Sequence, residues 1–461
     1  MNTMEPMTLD TIAKAIGGVL TGERTALVKG IGIDSRTIEA EQLFFAIPGE
    51  RTDGHQYVRM SSERGAVGAV VSRPVDAPHG FPLIYVADTV WALGCFARWY
   101  RGLFDIPVIG ITGSAGKTTT KEMTAAALSA RHTVLKSPQN LNNEIGLPLT
   151  ILQLERHHTV AVLEMAMRGR GQIDWLTNIA RPSIGVITNI GWAHLELLGS
   201  RDNIALAKSE ILYRLPEDGV AVLNADDDYF EFCRRQVRCR VMTFGHRRGA
   251  TVRAVKPQME RDGKVRCIVR YGRESSPLQV PVPGLHHLSN ALAALACAVA
   301  VGVPLAEAAV YLQQMQAVEQ RMQVRRTAKQ ITVLDDTYNS NPASVKAALH
   351  TMERMANGCR RIVVLGDMLE LGEEAPKLHR EVGQEAARIG AEVIVAVGKM
   401  AEEVVRGATS AGNPEVCLTF SDSSAAAENI LRYLQSGDMV LVKGSRALQM
   451  ELVVKAITED C

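Results

Sequence analysis

Short apolar runs separated by longer segments of helical period dominate this chain. Runs at 107–111, 160–163, 183–187 and 220–223 read as buried strands, each followed by a stretch with apolar residues three or four apart. That alternation implies parallel strands joined by crossover helices, a doubly wound sheet. The same rhythm restarts at 331–334, 362–365, 393–397 and 439–442, with a helix expected over 344–355, and predicts a separate Rossmann-like unit. Before either, a helix over 9–16, a strand at 43–47 and the turn-rich segment 48–54 read as a small α/β unit ending near residue 86. The expected class is therefore α/β in three domains, at 1–86, 87–314 and 315–461. A length of 461 residues at roughly 150 per domain leads to the same number.

Composition narrows the picture. With 51 basic and 50 acidic residues the net charge is +1, which argues against a dedicated nucleic-acid binder. The one basic concentration is 234–273, with thirteen Lys and Arg against Glu260 and Asp262. The Asp262-Gly263 turn between alternating runs predicts a hairpin with a solvated basic face, and no nucleic-acid partner is expected. The alanine-dominated stretch 291–312 contains Pro304 and Glu307, so it reads as a buried helix, a break and another helix, not as a membrane span. Eight cysteines show no metal-ligand spacing, and the first residues lack the layout of a secretory leader. A cytoplasmic protein with reduced thiols is expected.

The sharpest local signal is Gly110-Ile111-Thr112-Gly113-Ser114-Ala115-Gly116-Lys117-Thr118-Thr119, which leaves an apolar strand and enters a helix. Gly113, Ser114, Ala115, Gly116, Lys117, Thr118 and Thr119 form a turn whose backbone N–H groups can converge on phosphate oxygens at a helix N-terminus. Lys117 would neutralise β/γ charge and Thr118 would hold Mg²⁺, which makes ATP and Mg²⁺ the expected cofactors and the central domain a P-loop-type ATPase. The spacing is G-x-x-G-K-T-T and departs from the strict G-x-x-x-x-G-K-[ST] form, since Ile111 stands five before Gly116. Two later strands run into Glu164 and toward His194, and ligands of open α/β sheets sit at the carboxyl ends of strands. Thr118, Glu164 and His194 are thus candidates to converge on one metal, His194 the weaker because Mg²⁺ favours oxygen.

These motifs, together with Asp34-Ser35-Arg36, 43–54, Asn140-Leu141-Asn142-Asn143-Glu144, Glu164-Met165-Ala166-Met167-Arg168-Gly169, Asn189-Ile190-Gly191-Trp192-Ala193-His194, Gly284-Leu285-His286-His287-Leu288-Ser289-Asn290, Asp335-Asp336-Thr337-Tyr338-Asn339-Ser340-Asn341-Pro342 and Gly366-Asp367-Met368-Leu369-Glu370, make the chain resemble the Mur ligases of bacterial cell-wall synthesis over nearly its full length. Within that family, the segments from Asp335 and Gly366 are similar to the branch that joins D-alanyl-D-alanine to a UDP-N-acetylmuramoyl-tripeptide. The resemblance implies an N-terminal domain for the UDP-sugar end, a central ATPase domain, and a C-terminal domain that closes on the nucleotide and receives the dipeptide, in a monomer. It further implies uridine and pyrophosphate contacts at Ser35, Glu50, Arg51 and Thr52, and muramoyl-peptide contacts at Asn142 and Asn143. Adenine and ribose contacts fall at Asn290, Arg321 and Asp336, and dipeptide contacts at Tyr338, Asn341 and Asp367. Catalytic roles fall to Lys117, Glu164, His194 and Lys208, the last sitting where sister ligases carry a carbamylated lysine that binds a second Mg²⁺. A related ligase adding a single amino acid, or glutamate to a folate, is the alternative; an Asp-Asn-Pro-Arg segment found in the diaminopimelate-adding sister is replaced here by Asn339-Ser340-Asn341-Pro342.

Overall fold

The computed structural model describes residues 3–49, 52–138, 140–316, 318–412 and 414–460. Three principal sheets follow one another along the chain, and the strands predicted from apolar runs lie in them. The first has five strands in the order Val19–Thr21, Leu83–Tyr85, Gly68–Val71, Gln42–Phe45, Gly30–Gly32, all parallel to their neighbours except the edge strand Val19–Thr21. The expected helix is present as Leu9–Ile16, capped by the Thr8 hydroxyl and stopped at Gly17 in the left-handed region.

The second sheet has nine strands, and its order explains where a ligand belongs. The strand Val108–Thr112, which feeds the phosphate loop, lies between Val160–Glu164 on one side and Ile184–Ile187 on the other. The chain first goes out to the edge strand Val134–Lys136, returns to Val160–Glu164, then crosses over Val108–Thr112 to continue in the opposite direction. That reversal opens a crevice at the carboxyl ends of the central strands. Alternation decides which side chains face which layer. Ile109, Ile111, Val160 and Val162 pack toward the loop helix Lys117–Leu128 and the alanine-rich helix Leu285–Val301, while Val108, Ala161 and Leu163 join the opposite core with Ile173, Leu176, Ile204 and Ile211. Each such fully buried Val, Leu or Ile contributes on the order of 1.5–3 kcal/mol.

The stretch 291–312 is, as expected, two helices, Leu285–Val301 and Leu305–Gln313, separated at Gly302 and Pro304. The basic segment forms the expected hairpin, Val252–Met259 against Val265–Tyr271, with Gly263 at φ +79. The hairpin does not stand between domains: with Glu274–Gln279 it continues the central sheet as an antiparallel extension through Arg240–Gly245. Among the described residues no helix is long and apolar enough to cross a membrane.

The third sheet orders Gln323–Arg326, Thr332–Asp336, Met439–Lys443, Arg361–Gly366, Val393–Val397 and Val416–Phe420, parallel apart from its first strand. Asp336 and Lys443 are register partners at the carboxyl ends of adjacent strands, so this sheet also aims its polar ends at the cleft.

Candidate active site

A cleft of ≈ 730 Å³ lies between the carboxyl ends of the central and C-terminal sheets, within the usual range for small-molecule sites. Its floor is the phosphate loop. The loop is built by two glycines in conformations that favour glycine, Gly113 at φ +149 and Gly116 at φ +79. A side chain at Gly116 would place its Cβ 2.3 Å from Asn290 Oδ1, and one at Gly113 would meet Thr188 Oγ1 at 1.9 Å. The turn is held from the neighbouring strand end: Thr188 Oγ1 and Asn189 Nδ2 donate to the Ala115 carbonyl at 2.6 and 3.1 Å, and the Ala115 N–H donates to Asn189 Oδ1 at 3.0 Å. The helix Lys117–Leu128 has no side-chain cap, which leaves its first-turn amides to an anion.

Four cationic and oxygen-bearing groups meet above the loop. Lys117 Nζ donates to the Gly113 carbonyl at 2.9 Å, and burial lowers its pKa, partly opposed by Glu164. Thr118 Oγ1 donates to Glu164 Oε2 at 2.8 Å and accepts from Arg321 Nη2 at 2.9 Å. Asn142 Nδ2 donates to Glu164 Oε1 at 2.8 Å, and the Glu164 N–H donates to Ser137 Oγ at 3.1 Å. Glu164 is 2% exposed, so these partners fix both oxygens of a buried carboxylate. A hydroxyl and a carboxylate oxygen side by side are hard donors suited to a divalent cation. Among the described residues no group of three or more His, Cys, Asp or Glu that could hold a metal is present.

The C-terminal sheet supplies the opposite wall. Arg321 lies 4.1 Å from the Tyr338 ring centroid, and Lys443 Nζ donates to Asp336 Oδ2 at 2.6 Å and to the Asn339 carbonyl at 2.8 Å. His194, at φ +65, brings Nδ1 to 2.6 Å from Glu370 Oε2, a close contact across the cleft. Lys208, on the helix Arg201–Tyr213, is 1% exposed, and burial pushes its amine well below the ordinary lysine range, with the Lys117 charge adding to the effect. The helix turn His286, His287 and Asn290 closes the site, with Asn290 Nδ2 3.2 Å from His287 Nδ1.

Of the sequence-predicted residues, the loop from Ser114 to Thr119 lines the cleft together with Asn142, Asn143, Glu164 and His194. Asn290, Arg321, Asp336, Tyr338 and Asn341 line it too. Two of these carry a structural task. Asn341 Oδ1 accepts from the Ser344 N–H as the cap of the helix Pro342–Ala356, and Asn143 Oδ1 accepts from the Gly146 N–H at the start of Gly146–Ile151. Asp367 is not in the cleft: its oxygens accept the Lys399 and Met400 N–H groups at 2.8 and 3.0 Å, which makes it a brace for a neighbouring loop. Ser35 and Thr52 lie in loops of the N-terminal α/β unit, outside this cleft, with Ser35 buried and its hydroxyl 3.5 Å from Met60 Sδ. The candidates Glu50 and Arg51 lie outside the described residues. Thr188, Asn189, His287, Glu370 and Lys443 escaped the residue-by-residue reading. Asn189 and Lys443 had a usable signal, each being a polar residue at or just past an apolar strand of the site's edge.

Buried His287 and its partly exposed neighbour His286 have a consequence for stability. Burial lowers His286 to about 4 and His287 well below its ordinary value. The unfolded imidazole titrates near 6.5, so between these limits only the unfolded chain takes up the proton. Stability therefore falls as pH drops from about 6.5 toward 4, by up to ~1.4 kcal/mol per pH unit for His286 alone, and is indifferent to this group above that window. Urea melts between pH 7 and 4.5 should show this slope, and His286→Gln should reduce it, leaving the part that His287 contributes.

The sequence matches the family descriptions "Mur ligase family, catalytic domain" over 27–142, "Mur ligase middle domain" over 111–298 and "Mur ligase, glutamate ligase domain" over 320–446. It is 33% identical over 456 residues to the UDP-N-acetylmuramoyl-tripeptide--D-alanyl-D-alanine ligase of Bacillus subtilis, covering 98% of both chains. Among solved structures, MurF from Acinetobacter baumannii superposes with a TM-score of 0.90 at 34% identity, covering 98% of each chain. MurF from Thermotoga maritima in complex with ADP superposes with a TM-score of 0.82 at 28% identity, covering 92% of this chain and 96% of that one.

Proposed function

The chain belongs to the Mur ligase family of ATP-dependent ligases, and on that premise we propose that it joins D-alanyl-D-alanine to UDP-N-acetylmuramoyl-tripeptide, in the cytoplasm, with release of ADP and phosphate. The observation that carries the reading is the pairing of a phosphate loop with a buried carboxylate, Glu164, bonded to the loop's own Thr118 at 2.8 Å. Residues 1–86 are assigned to the UDP-sugar end, 87–314 to ATP, and 315–461 to closure and dipeptide binding.

In this reading the tripeptide's terminal carboxylate attacks the γ-phosphorus of ATP, giving an acyl phosphate and ADP. The dipeptide amine then attacks the acyl carbon, and the tetrahedral intermediate expels phosphate. Two anions must meet in the first step, and Lys117 and the loop amides offset their repulsion. Thr118 and Glu164 would hold Mg²⁺ alongside the nucleotide phosphates, with His194 released from Glu370 as a further candidate; bound there, the ion supplies charge neutralisation at the transferring phosphoryl group. Arg321, bonded to Thr118 from the C-terminal wall, ties closure of the cleft to the loop and keeps water from the acyl phosphate. Asn142 fixes the free oxygen of Glu164.

Lys208 fits the modified lysine that the family resemblance implies. An amine whose basicity burial has lowered can add CO₂, forming an N–C bond and losing a proton, and so become an oxygen ligand. Lys208→Ala is expected to lower turnover about 10²-fold and to recover in part with millimolar acetate or formate. Full activity, or loss without any rescue, would remove this assignment. The activity itself is tested by ADP release that requires both the tripeptide nucleotide and D-alanyl-D-alanine. Release with a single amino acid in place of the dipeptide would move the chain to a sister activity.

A further inference from the structure

We propose that Arg446 holds the terminal carboxylate of the incoming dipeptide, with Leu369 and Ala447 forming the apolar wall against which its methyl groups lie. The proposal rests on the ligase reading above.

The C-terminal wall of the cleft presents three cations, and two are already committed. Arg321 is bonded to Thr118 and stacked on Tyr338, and Lys443 is buried between Asp336 and the Asn339 carbonyl. Arg446 has 56% of its side chain exposed and a single bond, from Nη1 to Glu451 Oε1 at 2.5 Å. An exposed pair of this kind is worth about 0–1 kcal/mol, and the remaining guanidinium N–H groups are unengaged. A planar fork with two free N–H donors matches a carboxylate.

Its position suits the length of the ligand. Arg446 and Ala447 line the same cleft as Tyr338, Arg321 and Glu164, just past the carboxyl end of the strand Met439–Lys443. A dipeptide spans at most ~7 Å. With its amine toward Glu164, its carboxylate would face the wall of the cleft that carries Arg446. Leu369 is 46% exposed on the same wall, an apolar surface otherwise left in water.

Both parts of the wall are held as one piece. The Leu369 N–H donates to Ser445 Oγ at 3.0 Å and the Ser445 N–H to the Asp367 carbonyl at 3.1 Å. The Met368 N–H donates to His379 Nε2 at 2.9 Å, so the loop before Leu369 is fixed from behind as well. Gly444 permits the close approach: a Cβ there would lie 2.6 Å from Met450 Cγ and 3.1 Å from Gly366 Cα. Such bracing suits a recognition surface.

The test compares D-alanyl-D-alanine with D-alanyl-D-alaninamide, which keeps the amine and methyl groups but lacks the carboxylate. The native enzyme should prefer the acid by about 30- to 100-fold in kcat/KM, the effect of one charged hydrogen-bonded contact. Arg446→Gln should lose that factor on the acid and little on the amide, with the change in dipeptide KM and not in ATP KM; Arg446→Lys should recover part of it. Equal losses on acid and amide, or a native enzyme indifferent to the carboxylate, would overturn the proposal. A native enzyme that turns over neither dipeptide but accepts a single amino acid would instead overturn the ligase reading. Melting temperatures of the variants separate misfolding from lost recognition.

Discussion

Replacing Lys117 with alanine should reduce turnover about 10³-fold or more while leaving the fold intact. Lys117 is the first residue of the loop helix, and its ammonium donates to the Gly113 carbonyl. Its ammonium is crowded by protein, which lowers its pKa, and the positive charge of Arg321 adds to the effect. Holding these cations together costs stability, so removing one should not unfold the domain and can raise its melting temperature slightly. The large effect belongs to the step in which a carboxylate approaches a triphosphate. Steady-state turnover and a thermal melt of the same preparation check the prediction. A variant that forms acyl phosphate at the native rate would refute the assignment of Lys117.

Glu164→Gln is expected to lower turnover about 10²- to 10³-fold and to raise the Mg²⁺ concentration needed for half-maximal rate. The substitution keeps the volume of a side chain that is 2% exposed, so packing is preserved. It fails chemically because both oxygens accept, one from Thr118 Oγ1 and one from Asn142 Nδ2. A glutamine offers one oxygen and one N–H₂, so it can keep the bond from Asn142 but no longer accept from Thr118 as well, and the negative charge is lost. Activity titrated against Mg²⁺ separates the two causes: excess metal restores part of a charge defect and none of a misfolded site.

The fold was legible where the strands are buried on both faces, because each appears as an uninterrupted apolar run bounded by polar residues. Val393–Val397 and the helix Leu9–Ile16 coincide with their expected limits. The antiparallel extension past Arg240–Gly245 was harder to place: its alternation identifies a hairpin but not the sheet that hairpin joins, since the decision rests on pairing with a distant strand. At the site, residues at strand ends and in the glycine turn could be located, since strand direction and turn geometry fix where they point. Loop residues could not be told apart in this way. Asp367 and Asn341 share the chemistry expected of ligand contacts, yet one braces Lys399 and Met400 and the other caps a helix. A polar side chain in a loop turns to whichever donor the tertiary structure supplies, and that donor lies in a different segment for Asp367 and one turn away for Asn341. Glu370 was quoted within a motif but gained a role only when His194, from the other sheet, was found beside it.

The most direct test of the account is the fate of the tripeptide's terminal carboxylate oxygen. With that carboxylate labelled with ¹⁸O, attack on the γ-phosphorus followed by displacement at the acyl carbon leaves the bridging oxygen with the departing phosphate. One ¹⁸O atom per turnover should therefore be found in the released inorganic phosphate, and only when D-alanyl-D-alanine is present to complete the reaction. Phosphate free of label during active peptide formation would contradict an acyl-phosphate ligase.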